Sequence, residues 1–140
     1  MGFQMEVDAI RMAREMDLLT TPYAFNVEEA KAMTESGVDI LVCHMGLTTS
    51  GSIGAMSEKS IEDCVESIQK MRDAAVAVNE EVIVLCHGGP IATPNDADFV
   101  LRRVKGLHGF YGTPSVERLP VEEAITNITR ELKGLKPGEV

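Results

Sequence analysis

Two kinds of hydrophobic pattern alternate along most of this chain. Nearly continuous apolar runs, which are typical of strands buried on both faces, end in short turns that contain glycine. Between these runs, apolar residues recur every three or four positions, which is typical of helices that bury one face. The apolar runs predict strands at residues 18–25, 39–45, 82–87 and 106–111.

Helices are predicted before the first strand and after every strand. The first is expected from Met5 to Met16, and the last is expected to begin at Pro120. The other three begin at capping patterns, which are Asn26 with Glu29, Ser60 with Asp63, and Thr93 with Pro94 and Asp96. A helix followed by four βα units predicts an α/β fold with a parallel sheet and right-handed crossovers, in a single domain over residues 1–140.

Two of the apolar runs are close copies of each other. Asp39–Gly46 reads DILVCHMG, and Val82–Gly89 reads VIVLCHGG. Alternation along a strand gives His44 and His87 the same facing, with the adjacent cysteines on the opposite side. Because the carboxyl ends of parallel strands share one rim, where active sites lie, the two histidines are expected to meet at that rim.

Two histidines at one rim suit more than one role. They could act as acid and base or as ligands of one metal ion, or each could bond to a neighbouring carbonyl as a structural group. No carboxylate lies at a matching ligand spacing, so the sequence argues against a metal site and leaves the metal unknown. The duplication makes His44 and His87 the candidate catalytic residues, with the structural role as the alternative.

Turns rich in small residues follow the two histidine strands and the fourth strand. They contain Gly46, Gly88, Gly89, Gly112 and Ser115. Backbone N–H groups in such turns can hold an anion, and Arg118 just beyond them could add a charged contact. Tight turns also need glycine for geometry alone. These residues are therefore the candidate binding site for a small anionic substrate, with turn geometry as the alternative.

The connection from Gly46 to Met56 is longer than the ~2–6 residues usual between a strand and the next helix. Its sequence, GLTTSGSIGAM, is rich in hydroxyl groups and glycine. We expect a lid over the rim, and a flexible insertion is the alternative.

Composition excludes several classes of protein. The formal net charge is −9 and the 13 Lys and Arg residues are scattered, which argues against a nucleic-acid partner. No apolar run approaches the ~20 residues that cross a bilayer, and the start lacks the layout of a secretory signal. No membrane partner is predicted, and a cytoplasmic location is expected. The three cysteines fit neither a disulfide framework nor a zinc ribbon, so buried reduced thiols are expected.

Three segments together resemble the phosphoenolpyruvate hydrolase-like, TIM-barrel signal-transduction family. They are LLTTPYAFNVEEAKAMTESGVDILVCHMGLTTSGSIGA, VIVLCHGGPIATPNDADFVL and KGLHGFYGTPSVERLP, and within them CHMGLTT and CHGGPI are the most specific. The resemblance implies half of a TIM (β/α)8 barrel, namely the helix before the fifth strand and then strands five to eight. It places His44 after strand six, His87 after strand seven and residues 112–115 after strand eight.

The resemblance also implies a substrate class. The family name points to hydrolysis of a phosphoenolpyruvate-like substrate, for which Mg2+ is the cofactor that phosphoryl chemistry often uses. The sequence shows no ligands for Mg2+ and leaves turnover undecided. A non-catalytic anion-binding or signalling module, or an inactive half-barrel, is the alternative.

A half-barrel would leave two sheet edges and one apolar face exposed. Exposed edges invite pairing with another chain, and an apolar face marks an interface. We therefore expect a homo-oligomer, with the barrel closed by dimerisation, or a partner that supplies the other half-barrel. An open α/β sheet, or a part of a split or truncated gene product, is the alternative.

Overall fold

The computed structural model describes residues 2–52, 54 and 59–135. Within them, a helix precedes four βα units, as predicted. In chain order the elements are α1 (Phe3–Glu15), β1 (Tyr23–Ala24), α2 (Val27–Glu35), β2 (Ile40–His44), α3 (Ile61–Val78), β3 (Ile83–His87), α4 (Pro94–Arg103), β4 (Gly109–Phe110) and α5 (Arg118–Gly134). None of these helices has the length and apolarity needed to cross a bilayer.

The four strands form one parallel sheet in the order β1-β2-β3-β4. β2 and β3 pair along their whole lengths, with His44 opposite His87. β1 and β4 are the edges, and each pairs with its neighbour over two residues. The sheet is not closed, and the architecture is that of half a TIM barrel.

The two edge strands are shorter than the predicted 18–25 and 106–111. Pro22 lacks the N–H group that a longer β1 would donate, and each edge strand has a neighbour on one side only. Hydrogen bonding nevertheless continues beyond the regular strand, because the Ile40 N–H donates to the Thr20 carbonyl over 3.0 Å. The predicted boundaries therefore describe the extended segments rather than the regular strands.

The helix starts follow the capping chemistry. Ser60 and Thr93 precede α3 and α4 and form complete capping boxes, as predicted. α5 begins at Arg118 rather than at Pro120, because the Leu119 N–H donates to the Pro114 carbonyl (2.8 Å) and carries the preceding turn into the helix. Proline is tolerated there because the first turn of a helix has no partners for its N–H groups.

Helices α2, α3 and α4 cover one face of the sheet. The core on that side joins alternate strand residues to helix residues, including Leu41, Cys43, Val84, Cys86, Met33, Ile68 and Met71. All three cysteines are free and buried, as expected. Burial raises the pKa of the Cys43 and Cys86 thiols to about 12, so both thiols stay protonated and unreactive at neutral pH.

The opposite face of the sheet corresponds to the interior of a closed barrel. It is lined by the intervening residues of the two central strands, which are Ile40, Val42, His44, Ile83, Leu85 and His87. Ile83, at the beginning of β3, is 43% exposed. The end of this face near the strand starts is therefore open, whereas both histidines at the other end are buried.

α5 stands apart from the rest of the fold. Among its residues only Leu119 is buried. Its other apolar side chains are each more than half exposed, namely Val121, Ile125, Ile128 and Leu132. The helix is therefore attached to the half-barrel mainly through its first turn.

Candidate active site

The carboxyl ends of the strands bring the two predicted histidines together. His44 and His87 are the last residues of β2 and β3, and they pair across the sheet. Their ring centroids lie 4.8 Å apart in an edge-to-face arrangement. The repeated Cys-His strand end thus places two imidazole rings side by side at one rim.

Three aromatic side chains that the sequence reasoning did not single out surround these rings. Tyr23 stacks on His87, with 5.3 Å between centroids and 20° between ring planes, and its centroid lies 4.8 Å from that of His44. Phe25 lies 4.8 Å from His44, and Tyr111 lies 5.8 Å from His87. We call these five residues the rim cluster.

The sequence contains a pattern that places the two tyrosines at the rim. They are the only tyrosines of the chain, and they fall at the ends of the predicted strands 18–25 and 106–111. Residues at the ends of neighbouring parallel strands share the rim with the histidines. Strand position alone therefore predicts that Tyr23 and Tyr111 lie at the rim, although it does not predict that Tyr23 stacks on His87.

For the neutral form of each histidine, the hydrogen bonds at Nδ1 assign a different tautomer. The Gly46 N–H donates to His44 Nδ1 over 3.0 Å, so the ring proton of His44 lies on Nε2. His87 Nδ1 lies 2.5 Å from the Tyr111 carbonyl, which only accepts, so His87 carries its proton on Nδ1. Within the described part of the chain, neither Nε2 has a hydrogen-bond partner and neither is fully enclosed. The rim therefore offers one N–H donor and one bare nitrogen.

The surroundings of His44 favour the neutral form of its ring. Burial lowers the pKa of His44, and the neighbouring charge of His87 lowers it further. Burial likewise raises the pKa of Tyr23, with Tyr111 adding to the shift. At neutral pH the His44 ring is a neutral donor beside a protonated phenol.

Gly46, Gly88 and Gly89 form the crossing point of the two turns that follow the histidines. All three have positive φ angles, of 105°, 76° and 60°. The Gly89 N–H donates to the Gly46 carbonyl over 2.7 Å. A Cβ at Gly88 would collide with that same carbonyl and would lie 3.3 Å from His44 Cε1. Glycine is required here by geometry, and the N–H groups of Gly46 and Gly89 are already bonded within the protein.

The other predicted binding residues lie beyond β4. Gly112 and Ser115 are half-buried in the turn that leads to α5. Arg118 is directed elsewhere, because its guanidinium donates to the Glu122 carboxylate (2.8 Å) and to the Ser50 carbonyl (2.9 Å). The positive charge expected at the substrate is therefore paired with a glutamate in this conformation.

The long connection after β2 runs over the turn that follows β3 and reaches α5. We call residues 46–52 the strap. The Thr49 N–H donates to the Gly89 carbonyl (3.1 Å), and the Ser52 N–H donates to the Glu122 carboxylate (2.9 Å). Gly51 has a φ of 92° and lies so close to α5 that a Cβ would be 2.6 Å from Glu122 Oε2.

The strap lies where a lid was predicted. Its described residues are held by α5 and by the turn after β3 rather than hanging free. Residues 53, 55 and 56 of the predicted lid lie outside the described residues.

The rim does not fit Mg2+. Among the described residues, no group of three or more His, Cys, Asp or Glu side chains is placed to hold a metal ion. Mg2+ prefers carboxylate and phosphate oxygens, whereas the rim cluster offers imidazole, phenol and phenyl groups. We assign no chemical step to a metal.

Two tomato proteins are similar to nearly all of this chain. The ToMV susceptible protein tm-1(GCR26) of Solanum lycopersicum is 55% identical over 135 residues, and the ToMV resistance protein Tm-1(GCR237) of the same plant is 54% identical over 135 residues. Each alignment covers 96% of this chain and 18% of the relative. The chain thus spans about a fifth of the length of the curated relatives it matches.

A solved structure supports the fold. A chain of the crystal structure of the Amycolatopsis orientalis BexX/CysO complex is similar to this one with a TM-score of 0.58 and 15% sequence identity. The match covers 99% of this chain and 55% of that chain, so the fold corresponds to about half of a larger one. The family model for phosphoenolpyruvate hydrolase-like proteins matches residues 1–135. The chain therefore belongs to the phosphoenolpyruvate hydrolase-like family.

Proposed function

We propose that the rim cluster is the active site of a hydrolase that acts on a small phosphorylated substrate of the phosphoenolpyruvate kind. The observation that carries this proposal is the complementary protonation of two adjacent rings, with an N–H donor at His44 Nε2 and a bare nitrogen at His87 Nε2. Acid–base catalysis needs one group of each kind within reach of one substrate. Membership of the phosphoenolpyruvate hydrolase-like family supports the choice of substrate class.

Each ring has a defined task in this proposal. A water molecule at His87 Nε2 gives a proton to that nitrogen while its oxygen attacks phosphorus. The bond between phosphorus and the enol oxygen breaks, and His44 Nε2–H donates its proton to the departing oxygen. The products are inorganic phosphate and the enol of pyruvate, which then becomes the keto acid. His87 afterwards releases its proton to solvent, and His44 regains one.

The remaining predicted binding residues are proposed to hold the substrate anion. They are Gly46, Gly88, Gly89, Gly112, Ser115 and Arg118. Arg118 would have to exchange the carboxylate of Glu122 for the phosphate of the substrate, because its guanidinium is paired with that carboxylate. Since Arg118 also binds the strap, the exchange would occur where the strap meets α5.

The test is a coupled assay on the purified 140-residue chain. Release of pyruvate from phosphoenolpyruvate is followed with lactate dehydrogenase, and phosphate is measured separately, both with Mg2+ and with EDTA. We expect turnover that falls by about 10²-fold or more in His44→Gln and in His87→Gln, because each change removes one proton-transfer group.

The matched control is His108→Asn. His108 is the remaining histidine of the chain, and its Nδ1 accepts the Val84 N–H at the other end of the sheet, an acceptor role that an amide oxygen can keep. The control is expected to turn over at the wild-type rate. Absence of turnover in the wild type, or an equal loss in the control, contradicts the proposal.

A second candidate is anion binding without turnover, as in a signalling module. It is favoured by the open sheet. The rim of this chain is built from four strand ends, whereas the rim of a full TIM barrel is built from eight. In that case phosphoenolpyruvate raises the melting temperature of the chain while no pyruvate forms. Stabilisation that is lost in Arg118→Gln supports this candidate, whereas measurable turnover excludes it.

A further inference from the structure

Little within the described chain stabilises α5 as a helix. Beyond its first turn it buries no side chain, although it runs from Arg118 to Gly134. Isolated helices shorter than about 12–15 residues are marginal in water even for sequences rich in alanine, and α5, with 17 residues, is only slightly longer. This one is rich in residues that lose side-chain freedom in a helix, namely Val121, Ile125, Thr126, Ile128 and Thr129. Its stability therefore requires another surface against its apolar side.

The apolar side of α5 has the spacing of a helix–helix seam. Steps of four and three residues alternate along Val121, Ile125, Ile128, Leu132 and Leu135. These side chains are between 53% and 72% exposed. Such a narrow stripe is typical of helices that pair with each other.

A comparison within the chain supports a helix rather than a sheet as the covering surface. α3, which packs on the sheet, widens its buried stripe with the partly buried Val65 and Val76. The positions beside the seam of α5 are Glu122, Ala124, Thr129 and Glu131. A surface helix that faces a core usually shows a wider apolar stripe than this one.

Closure of a symmetric barrel by two copies is disfavoured by a count of helices. Each copy has five helices and four strands within its described residues, so two copies bring ten helices to eight strands. A TIM barrel has one helix after each strand. The surplus arises at the junctions, where α1 of one copy and α5 of the other would cover the same pair of strands. A second copy is therefore better placed on α5 than at the sheet edges.

The charges of α5 indicate the direction of pairing. Its beginning carries Arg118, Glu122 and Glu123, with a net charge of −1, and its end carries Arg130, Glu131 and Lys133, with a net charge of +1. An antiparallel pair puts the acidic end of one helix beside the basic end of the other, and it also opposes the two helix dipoles. A parallel pair would place like charges together.

We propose that α5 is a dimerisation helix that pairs antiparallel with α5 of a second copy of this chain through the seam Val121, Ile125, Ile128 and Leu132. The proposal does not depend on the proposed function. It makes the homo-oligomer specific, with the interface on the outside of the half-barrel.

Light scattering of the full chain over a range of concentrations is the first test. We expect about twice the monomer mass of 15.2 kDa for the wild type and the monomer mass for the double variant Ile125→Glu with Ile128→Glu. Asn127→Glu adds the same kind of charge on the outer side of α5 and should stay dimeric. Wild type that remains monomeric at every concentration overturns the proposal, as does a double variant that remains dimeric.

A cross-linking test covers the case in which the double variant does not fold. Val121→Cys and Leu132→Cys are made in separate chains, which are then mixed and oxidised gently. Antiparallel pairing predicts a disulfide between the two different variants, and the buried native thiols should not take part. Disulfides that join only identical variants indicate a parallel pair and overturn the proposed orientation.

Discussion

The two histidines follow the same local sequence, yet in their neutral forms only one of them carries its proton on the exposed Nε2, because their neighbours differ. After β2, the turn at Gly46 folds the backbone N–H onto His44 Nδ1. After β3, the nearest polar group is the Tyr111 carbonyl beyond the end of β4. His87 has β4 beside it, whereas His44 has β1. A duplicated motif thus presents an N–H donor at one ring and, at the other, a nitrogen without a proton in the neutral form, because its copies occupy different places in one sheet.

The lowered pKa of His44 predicts how stability depends on pH. Its ordinary pKa is 6.5, and the folded protein holds it below that value. The unfolded chain therefore binds more protons just below pH 6.5, so the free energy of unfolding should fall as the pH drops through this window. Melting temperatures between pH 7 and pH 5 should decline in the wild type and decline less in His44→Gln.

The carboxyl groups whose pKa is lowered, such as those of Asp39 and Glu122, lose their stabilising effect below their ordinary values of 3.8 and 4.5. They act in a more acidic range than His44 does. A slope unchanged by His44→Gln would show that this ring is not the group that titrates.

At the scale of elements, the close contact between the strap and α5 requires glycine at position 51, because any larger residue would collide with α5. Gly51→Ala would place a methyl group against the Arg118 guanidinium and 2.6 Å from Glu122 Oε2, at a φ of 92° that alanine avoids. The bonds from Ser50 and Ser52 to α5 should then be lost. We expect faster thermolysin cleavage beside Leu47, which is already 75% exposed, with the circular dichroism spectrum unchanged.

Gly134→Ala is the matched control for the strap, because a Cβ there meets nothing within 4 Å. Fragment masses distinguish cuts in the strap from cuts elsewhere. Equal cleavage rates in Gly51→Ala and in the wild type would show that α5 does not hold the strap.

Helix starts and central strands could be predicted from the sequence because their causes are local. The capping residues Ser60 and Thr93 act within three positions of themselves, and the two apolar Cys-His runs are hydrophobic on both faces of their strands. The edge strands could not be bounded in this way, since their length depends on hydrogen bonds from a neighbour on one side. Local chemistry predicts where a segment extends, and pairing decides how much of it is a regular strand.

The site was predictable in part for the same reason. The pairing of His44 with His87 follows from strand position alone. The tautomers, the stacking of Tyr23 and the engagement of Arg118 by Glu122 depend on register and on contacts distant along the chain. An expected anion ligand proved to be bound by a carboxylate one helical turn away, a pairing that helical spacing allows but does not require.

At the scale of the whole molecule, the cysteines report the integrity of the core. All three are fully buried, and a thiol must become thiolate before it reacts. We expect no labelling by iodoacetamide at pH 8 in the native protein and labelling of all three cysteines in urea. The urea midpoint measured by labelling should match that measured by circular dichroism if the half-barrel unfolds as one unit. A thiol that reacts without urea would show local opening of the core.

The bonds from the strap to α5 would couple anion binding at the rim to the pairing of α5 with a second copy. Arg118 and Glu122 belong to the proposed dimer helix, and they also hold the segment beside the histidines. If a bound anion draws Arg118 away from Glu122, the free energy of α5 pairing differs between the anion-bound and the anion-free chain. Linkage requires dimer formation to change the affinity for the anion by the same factor. The dimerisation constant measured with and without phosphoenolpyruvate would then give the coupling free energy between the rim and the helix.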